Sequence, residues 1–354
     1  MATWQWAAYS YDRCRASGKE PLLINLDESP MPLVYGGVIG NVVKGQSVRN
    51  GRREPRRPAT RNEQRIHFTF IGMICNIPWI QSILPQVLVV PERILGILDW
   101  RTLMNELPLN IYIVRQGSMW VNTDLYAKVL RLLRKCLKLH RVQRHCRVIL
   151  FADAFGGHIT VRSLFKMGDY GFWFVLLPAQ LTWLLQPLDV QTFAQMKSFL
   201  RNRFASVPEN NVNERLILTC LRHVFAAVRK YFVGRSWARA FDALGLNGAV
   251  APTSKHFFLE CEWSQLPTIN RGRPTQDIVS LNTPRGRTLH LVALRRCMPP
   301  EDTPPAPHAA TSEPVISTAL AGASMVPIGA HATRRRVLPP TFFGANFDSD
   351  SASE

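Results

Sequence analysis

Several things are scarce or missing in this chain. Acids are few: Asp and Glu total 25 against 43 Lys and Arg, a net charge of +18. The seven cysteines are scattered and odd in number. No CxxC pair occurs, which excludes a disulfide framework and a standard zinc site. The nearest metal-like cluster, Cys136, His140, His145 and Cys146, follows no usual zinc spacing. No GxxxxGK[ST] loop and no GxGxxG opening a helix is present, so nucleotide binding has no support. "GRSWA" (Gly234 to Ala238) lacks the second glycine of a nucleophile elbow, and "FGGHIT" has no serine motif to serve as its oxyanion loop. The opening "MATWQWAAYSYDRC" lacks the basic and apolar regions of a signal peptide. Phe68 to Val90 is uncharged and long enough to span a bilayer, but Asn76, Gln81, Gln86, Pro78 and Pro85 interrupt it. Two buried strands joined by a turn at "NIP" fit better, and no membrane partner is expected.

What is present is a globular, strongly basic protein. Its 354 residues, 46% of them apolar, allow one large or two ordinary domains. The positive excess suits a polyanion, and it is concentrated. Arg49 to Arg65 holds seven arginines against two glutamates, with Gly and Pro among them. Such a stretch cannot pack a core and reads as a solvated arm, a basic insertion over about 45–65 that includes Arg52, Arg53, Arg56 and Arg57. From Arg131 to Arg147 come seven positive charges and no acid, including Arg131, Arg134, Lys135 and Lys138. This is either a solvated helix face or a phosphate-tracking surface, and its single sign favours the second.

The apolar pattern predicts an α/β fold: a mixed sheet flanked by helices. "LLINLD" (Leu22 to Asp27), "IHFTFIGMI", "SILPQVLVV", "RVILFAD" (Arg147 to Asp153) and "GFWFVLLP" read as strands. Asn122 to Leu139 is the clearest helix, with Leu125, Val129, Leu132, Leu133 and Cys136 on one stripe and Lys128, Arg131, Lys135 and Lys138 opposite. "GHITVRSLFKMG" reads as a short helix closed by Gly168, and "DVQTFAQMKSFLRNRF" as a helix capped by Asp189. Helices continue to about Gly245. The expected division is an N-terminal segment 1–20, a main domain 21–250, an irregular extension 251–298, and a disordered tail 299–354 rich in Pro, Ala, Ser and Thr.

Three acids stand at comparable places in this pattern. Asp27 ends or interrupts the first strand, Asp153 ends an interior strand, and Asp189 follows another and opens a helix. Open α/β sheets build sites at the carboxyl ends of strands. Three carboxylates there suit Mg²⁺ or Mn²⁺, and two such ions serve phosphodiester chemistry. Each acid also has a plain structural reading: Asp189 as a cap, Asp153 and Asp27 as turn residues. His158 is either a site-lining group or a helix N-terminal residue.

The surrounding residues carry a resemblance. "INLDESP" resembles the N-x-D-E first block of the DDE superfamily endonuclease domain found in pogo/mariner-type transposases. "VILFADAFGGH" resembles its second block, an apolar strand, Asp and a following His. "LPAQLTWLLQPLDVQTFAQMK" resembles the third, LP-x-x-T-x-x-x-QPLD-V-x-x-F-x-x-x-K, and 35 residues lie between Asp153 and Asp189. "SWARAFDALGL" is similar to the closing helix pattern, so the resemblance covers roughly Leu22 to Leu246. It implies a ribonuclease-H-like core with a C-terminal helical extension. It implies Asp27 and Asp153 as the central pair for two Mg²⁺ or Mn²⁺ ions, completed by Asp189, with Glu28, His158 and Lys197 lining the site. The activity implied is cleavage and joining of DNA strands in the nucleus, with room for a homodimer. The alternative is a domesticated, catalytically inactive protein that keeps the fold and binds nucleic acid. The chain departs from the family at Ala154, where Asn is usual, and at Gln180, Leu181 and Trp183 in the third block. Only 26 residues precede Asp27, so no helix-turn-helix module is expected ahead of the domain, and DNA binding should be largely non-specific in sequence.

Overall fold

In the computed structural model of the chain, the apolar runs assemble into one mixed sheet. The structure describes residues 2–32, 67–96, 103, 105–108, 110–117, 121–155, 157–178, 181–204, 214–248, 272–274 and 291–300. The strands are β1 (Glu20–Pro32), β2 (His67–Cys75), β3 (Gln86–Pro91), β4 (Ile111–Gln116), β5 (Cys146–Asp153) and β6 (Trp173–Leu177). Their order across the sheet is β4-β3-β2-β1-β5-β6. β2 runs antiparallel to both neighbours, while β1, β5 and β6 run parallel to one another. An antiparallel meander followed by parallel strands on the far side of β1 is the ribonuclease-H-like arrangement that the motifs imply.

The sequence dictates this order. β5 and β6 are continuous apolar runs, as strands covered on both faces must be. Every residue from Val148 to Ala152 and from Trp173 to Leu177 is buried. The helices that cover the sheet are α1 (Ala2–Ala16), α2 (Pro78–Gln81), α3 (Glu92–Leu95), α4 (Thr123–Leu139), α5 (Val161–Asp169), α6 (Thr182–Leu185), α7 (Phe193–Phe204), α8 (Glu214–Val228), α9 (Ala238–Ala243) and α10 (Leu291–Arg296). In α4 the predicted stripe of Leu125, Val129, Leu132 and Leu133 is buried, and the Asn122 side chain accepts from Leu125 N at 2.8 Å to cap the first turn. No described helix is long and apolar enough to cross a membrane. Phe68 to Val90 is instead β2, the short helix α2 and β3.

Some expectations change. The opening segment is helix α1, whose Thr3 to Ser10 are all buried. Thr3, Gln5 and Ser10 interleave with its apolar residues and are buried with them, so the helix shows no apolar stripe to read. α5 continues past Gly168 to Asp169; Gly168 does not close the helix. A Cβ there would meet the Cβ of Arg296 at 2.7 Å, so the glycine is where the 291–300 segment packs closest. That segment also lies along the sheet, where Phe174 N donates to Cys297 O at 2.8 Å. The basic insertion, with Arg52, Arg53, Arg56 and Arg57, and residues 301–354 of the tail lie outside the described residues.

Gly72 is paired with Asp27 across β1 and β2. A Cβ there would meet ring carbons of Phe232, Phe193 and Phe70 at 3.0, 3.1 and 3.2 Å. The Phe70 ring sits edge-on to Phe232 and Phe193, at 5.1 and 6.4 Å between centroids. These rings have little room to give. Gly72→Ala is expected to cost about 1–3 kcal/mol, read as a lower melting temperature. An unchanged melting temperature would mean that the rings move freely.

Candidate active site at the carboxyl edge of the sheet

β1 and β5 bring the first two acids together by register. The last paired residues are Asn25 and Phe151. Asp27 and Asp153 each lie two positions further on, so they stand level on adjacent parallel strands and on the same face. The third acid arrives from β6 through α6 and a π-helical turn, Leu188–Thr192. Asn25 fixes that turn. Its Nδ2 donates to Phe151 O at 3.1 Å, and its Oδ1 accepts from Leu188 N at 2.9 Å. The asparagine in "INLD" therefore ties β1, β5 and the residue before Asp189 into one unit. Asp189 is not the cap expected of it. Pro187 precedes the turn, and no side chain caps it. π-turns of this kind recur at functional sites because they re-aim one side chain.

The carboxylates feel one another. Asp27 is only 6% exposed. Burial raises its pKa well above the usual carboxylate range, and the charges of Asp189, Glu28 and Asp153 raise it further. Burial also raises Asp189, against the pull of Lys197, and a hydrogen bond from the Asp27 side chain partly stabilises its charge. The charge of Asp153 raises Asp189 as well, so burial and mutual repulsion disfavour full ionisation of this group. Lys197 sits in α7 with its ammonium 5.8 Å from the Phe193 ring. Burial lowers its pKa, and Asp189 and Asp27 offset part of that.

His158 joins the other side of the group. It is fully buried. Nδ1 donates to Asp153 Oδ1 at 2.7 Å and Nε2 to Glu28 Oε1 at 3.0 Å. Burial disfavours its charge, but the Glu28 charge and the hydrogen bonds to Asp153 and Glu28 outweigh this and hold its pKa well above normal. Its ring stacks on Tyr126, centroids 4.3 Å apart. Of the two readings left open, His158 is the site-lining one. Phe155 N adds a 3.0 Å bond to Asp153 Oδ1.

Asp27, Glu28, Asp153, His158, Asp189 and Lys197 therefore meet at one edge of the sheet. The donors are hard oxygens, the kind that Mg²⁺ and Mn²⁺ take. Among the described residues, no three His, Cys, Asp or Glu side chains already stand in ion-holding geometry. The carboxylates are engaged with one another and with His158 instead. The basic residues lie elsewhere. Arg131, Lys135 and Lys138 are exposed along α4 and Arg134 is half-buried. Arg147 is not part of that face: its guanidinium lies over Trp173 at 5.1 Å and reaches Gly171 O. Sequence reasoning missed Tyr126 and Asn25. A tyrosine on the buried face of α4 was the available signal, since a buried phenol marks a polar neighbourhood.

The raised pKa of Asp27 has a measurable consequence. A folded pKa above the unfolded one gives stability that is present at acid pH and lost as pH rises through the folded value. Asp27→Asn keeps the donor to Asp189 and removes the titration. Without divalent ions, Asp27→Asn is expected to melt about 3–8 °C above wild type near neutral pH, with the gap closing toward about pH 4. Equal melting curves at both pH values would refute the raised pKa of Asp27.

Residues 97–217 match the family model described as DDE superfamily endonuclease. Solved structures similar to the chain include the Mos1 mariner paired end complex with Mn, at 16% identity over 70% of this chain and 63% of that one, TM-score 0.38. The Mos1 paired end complex with Mg follows at 17%, 70%, 60% and 0.38. The Mos1 strand transfer complex stands at 16%, 70%, 62% and 0.33. The chain thus spans less than two thirds of the length of those proteins. No curated protein matches it in sequence. The matched stretch, residues 97–217, holds Asp153, His158, Asp189 and Lys197, and there the chain is similar to the DDE superfamily endonucleases.

Proposed function

We propose that the chain is a transposase-derived endonuclease of the pogo/mariner type that cleaves and joins DNA strands with two Mg²⁺ or Mn²⁺ ions. The observation that supports this most is the gathering of Asp27 within β1, Asp153 at the end of β5 and Asp189 on the turn Leu188–Thr192. Asp27 and Asp153 are the central ligands and Asp189 completes the set. Bound there, the ions would supply an activated oxygen nucleophile and steady the leaving oxygen. His158 and Glu28 hold Asp153 in place, and Lys197 faces the same carboxylates. Ions held there would need Asp27 in its charged form, which burial and the neighbouring carboxylates disfavour. Arg131, Arg134, Lys135 and Lys138 track phosphates, joined by Arg52, Arg53, Arg56 and Arg57 of the insertion. Phosphate contacts carry little sequence information, so DNA is bound largely without sequence preference. Nuclear residence and a homodimer belong to the same proposal.

One observation favours a rival, a fold-retaining nucleic-acid-binding protein without catalysis: no ion-holding geometry exists among the described residues. Incubation with supercoiled plasmid separates the two. Open-circular product is expected with Mn²⁺ or Mg²⁺ and none with EDTA. Plasmid that is bound yet stays supercoiled in both metals would overturn the catalytic reading and support the rival.

A further inference from the structure

The His158 ring is held by its nitrogens and by a face. Nδ1 is bonded to Asp153 at the end of β5, and Nε2 to Glu28 of β1. Tyr126 of α4 stacks on the ring, with the two planes 37° apart. Tyr126 is fully buried, yet its hydroxyl has no hydrogen-bond partner among the described residues. What it offers His158 is therefore its ring and not a hydrogen bond. The loop that carries His158 is fixed against the helices on either side. Ser163 Oγ of α5 donates to Gly157 O at 2.7 Å. A Cβ on Gly157 would come 3.9 Å from the backbone of Asn122, the residue that caps α4. Asp124 of α4 and Arg162 of α5 form an ion pair. At the far end of this arrangement, His158 Nδ1 and Phe155 N both reach the same oxygen of Asp153, Oδ1. A carboxylate gripped at one oxygen by two donors cannot turn without breaking both bonds.

We propose that Tyr126 is a positioning residue for the ion ligand Asp153: its ring holds His158 in the plane that ties Asp153 to Glu28, so that a divalent ion meets a carboxylate already oriented. This rests on the DNA-cleaving reading, in which Asp153 is a ligand. Without the Tyr126 ring a cavity would open beside His158, and the imidazole could turn about its Cβ–Cγ bond. One such turn breaks the bonds to Asp153 and Glu28 together. Asp153 then has to be ordered by the ion itself, at a cost in affinity. Partners one step outside a metal's ligands commonly change its affinity by about 10- to 100-fold. A plain packing role for Tyr126 leads to a different result. It lowers the melting temperature when the ring is removed and leaves ion affinity where it was.

The test reads Mn²⁺ binding by the full chain without DNA, from the loss of free-ion signal in electron paramagnetic resonance. Asp153→Asn sets the background. Tyr126→Leu is expected to weaken Mn²⁺ binding about 10- to 100-fold. Tyr126→Phe keeps the ring and drops the unpartnered hydroxyl, so it should bind Mn²⁺ as wild type does and melt no lower. His158→Gln should weaken Mn²⁺ as Tyr126→Leu does, and the double variant should be no weaker than either alone, because both remove the same orientation. A second readout needs no metal. In EDTA, the proton NMR signal of the bonded His158 ring N–H, identified by its absence in His158→Gln, should persist in Tyr126→Phe and vanish in Tyr126→Leu. Tyr126→Leu that melts lower but binds Mn²⁺ like wild type would make Tyr126 a packing residue and overturn the proposal. So would Tyr126→Phe that binds as weakly as Tyr126→Leu, which would place the effect in the hydroxyl. If Tyr126→Leu does not fold, His158→Gln decides: Mn²⁺ affinity equal to wild type overturns the proposal. Wild type that binds no more Mn²⁺ than Asp153→Asn overturns the two-ion reading itself, and this inference with it.

Discussion

Asp153→Asn is expected to lower metal-dependent plasmid nicking by about a thousandfold or more, and Asp189→Asn and Asp27→Asn by comparable factors. A divalent ion contributes several kcal/mol of transition-state stabilisation, and each 1.36 kcal/mol is about tenfold in rate. Loss of any one ligand removes much of that. The three variants differ in what else they do. Asp27→Asn removes a buried carboxylate whose charge is disfavoured by burial and by Asp189, Glu28 and Asp153, so it is expected to gain stability without metal and to lose ion binding. Wild type should therefore gain melting temperature from millimolar Mn²⁺, because the ion binds only the folded chain, and Asp27→Asn should not. Asp153→Asn also removes a charge that His158 faces at 2.7 Å. Nicking retained within a few-fold in all three variants would show that the carboxylates are not the reactive centre.

Affinity for DNA is expected to fall by roughly two to four orders of magnitude between about 50 and 200 mM salt, if about five to eight phosphates are neutralised. The positive residues on α4 are the proposed source of such a response. The helix starts beside the site, where Asp124 pairs with Arg162, and carries Arg131, Arg134, Lys135 and Lys138 away from it. At 1.5 Å per residue, Lys138 stands about 20 Å further along than Asp124. Charge reversal of Arg134, Lys135 and Lys138 together should flatten the salt slope by about three and weaken binding to all sequences about equally. Competition against random DNA reads the result. A strong preference for one sequence would reveal a recognition element, and a flat salt response would remove nucleic acid as the partner.

Much of this was legible from residue order. β5, β6 and α4 follow from apolar period alone, because burial on two faces or on one stripe leaves a pattern. The acids were legible because each sits where such a pattern stops. Other parts were not. β4, "IYIVRQ", is short and half-exposed, and α1 has no polar side to mark it as a helix. Asp189 reads as a cap because a π-turn has the same composition as the start of an α-helix. The work of Asn25 and Gly72 depends on partners far away in the chain, Leu188 and Phe193 among them, which no local window contains.

The docking of residues 291–300 against β6 has a consequence for solubility. β6 is the last strand of the sheet on its side, and a bare strand edge is a template for pairing with another chain. The bond from Phe174 N to Cys297 O, and the close fit of Gly168 against Arg296, place the end of α10 and the residues after it along that edge. This short stretch, remote from the acids in sequence, works as a guard against sheet-to-sheet aggregation. It lets β6 keep an unbroken apolar sequence without the charges or prolines that usually protect an exposed edge.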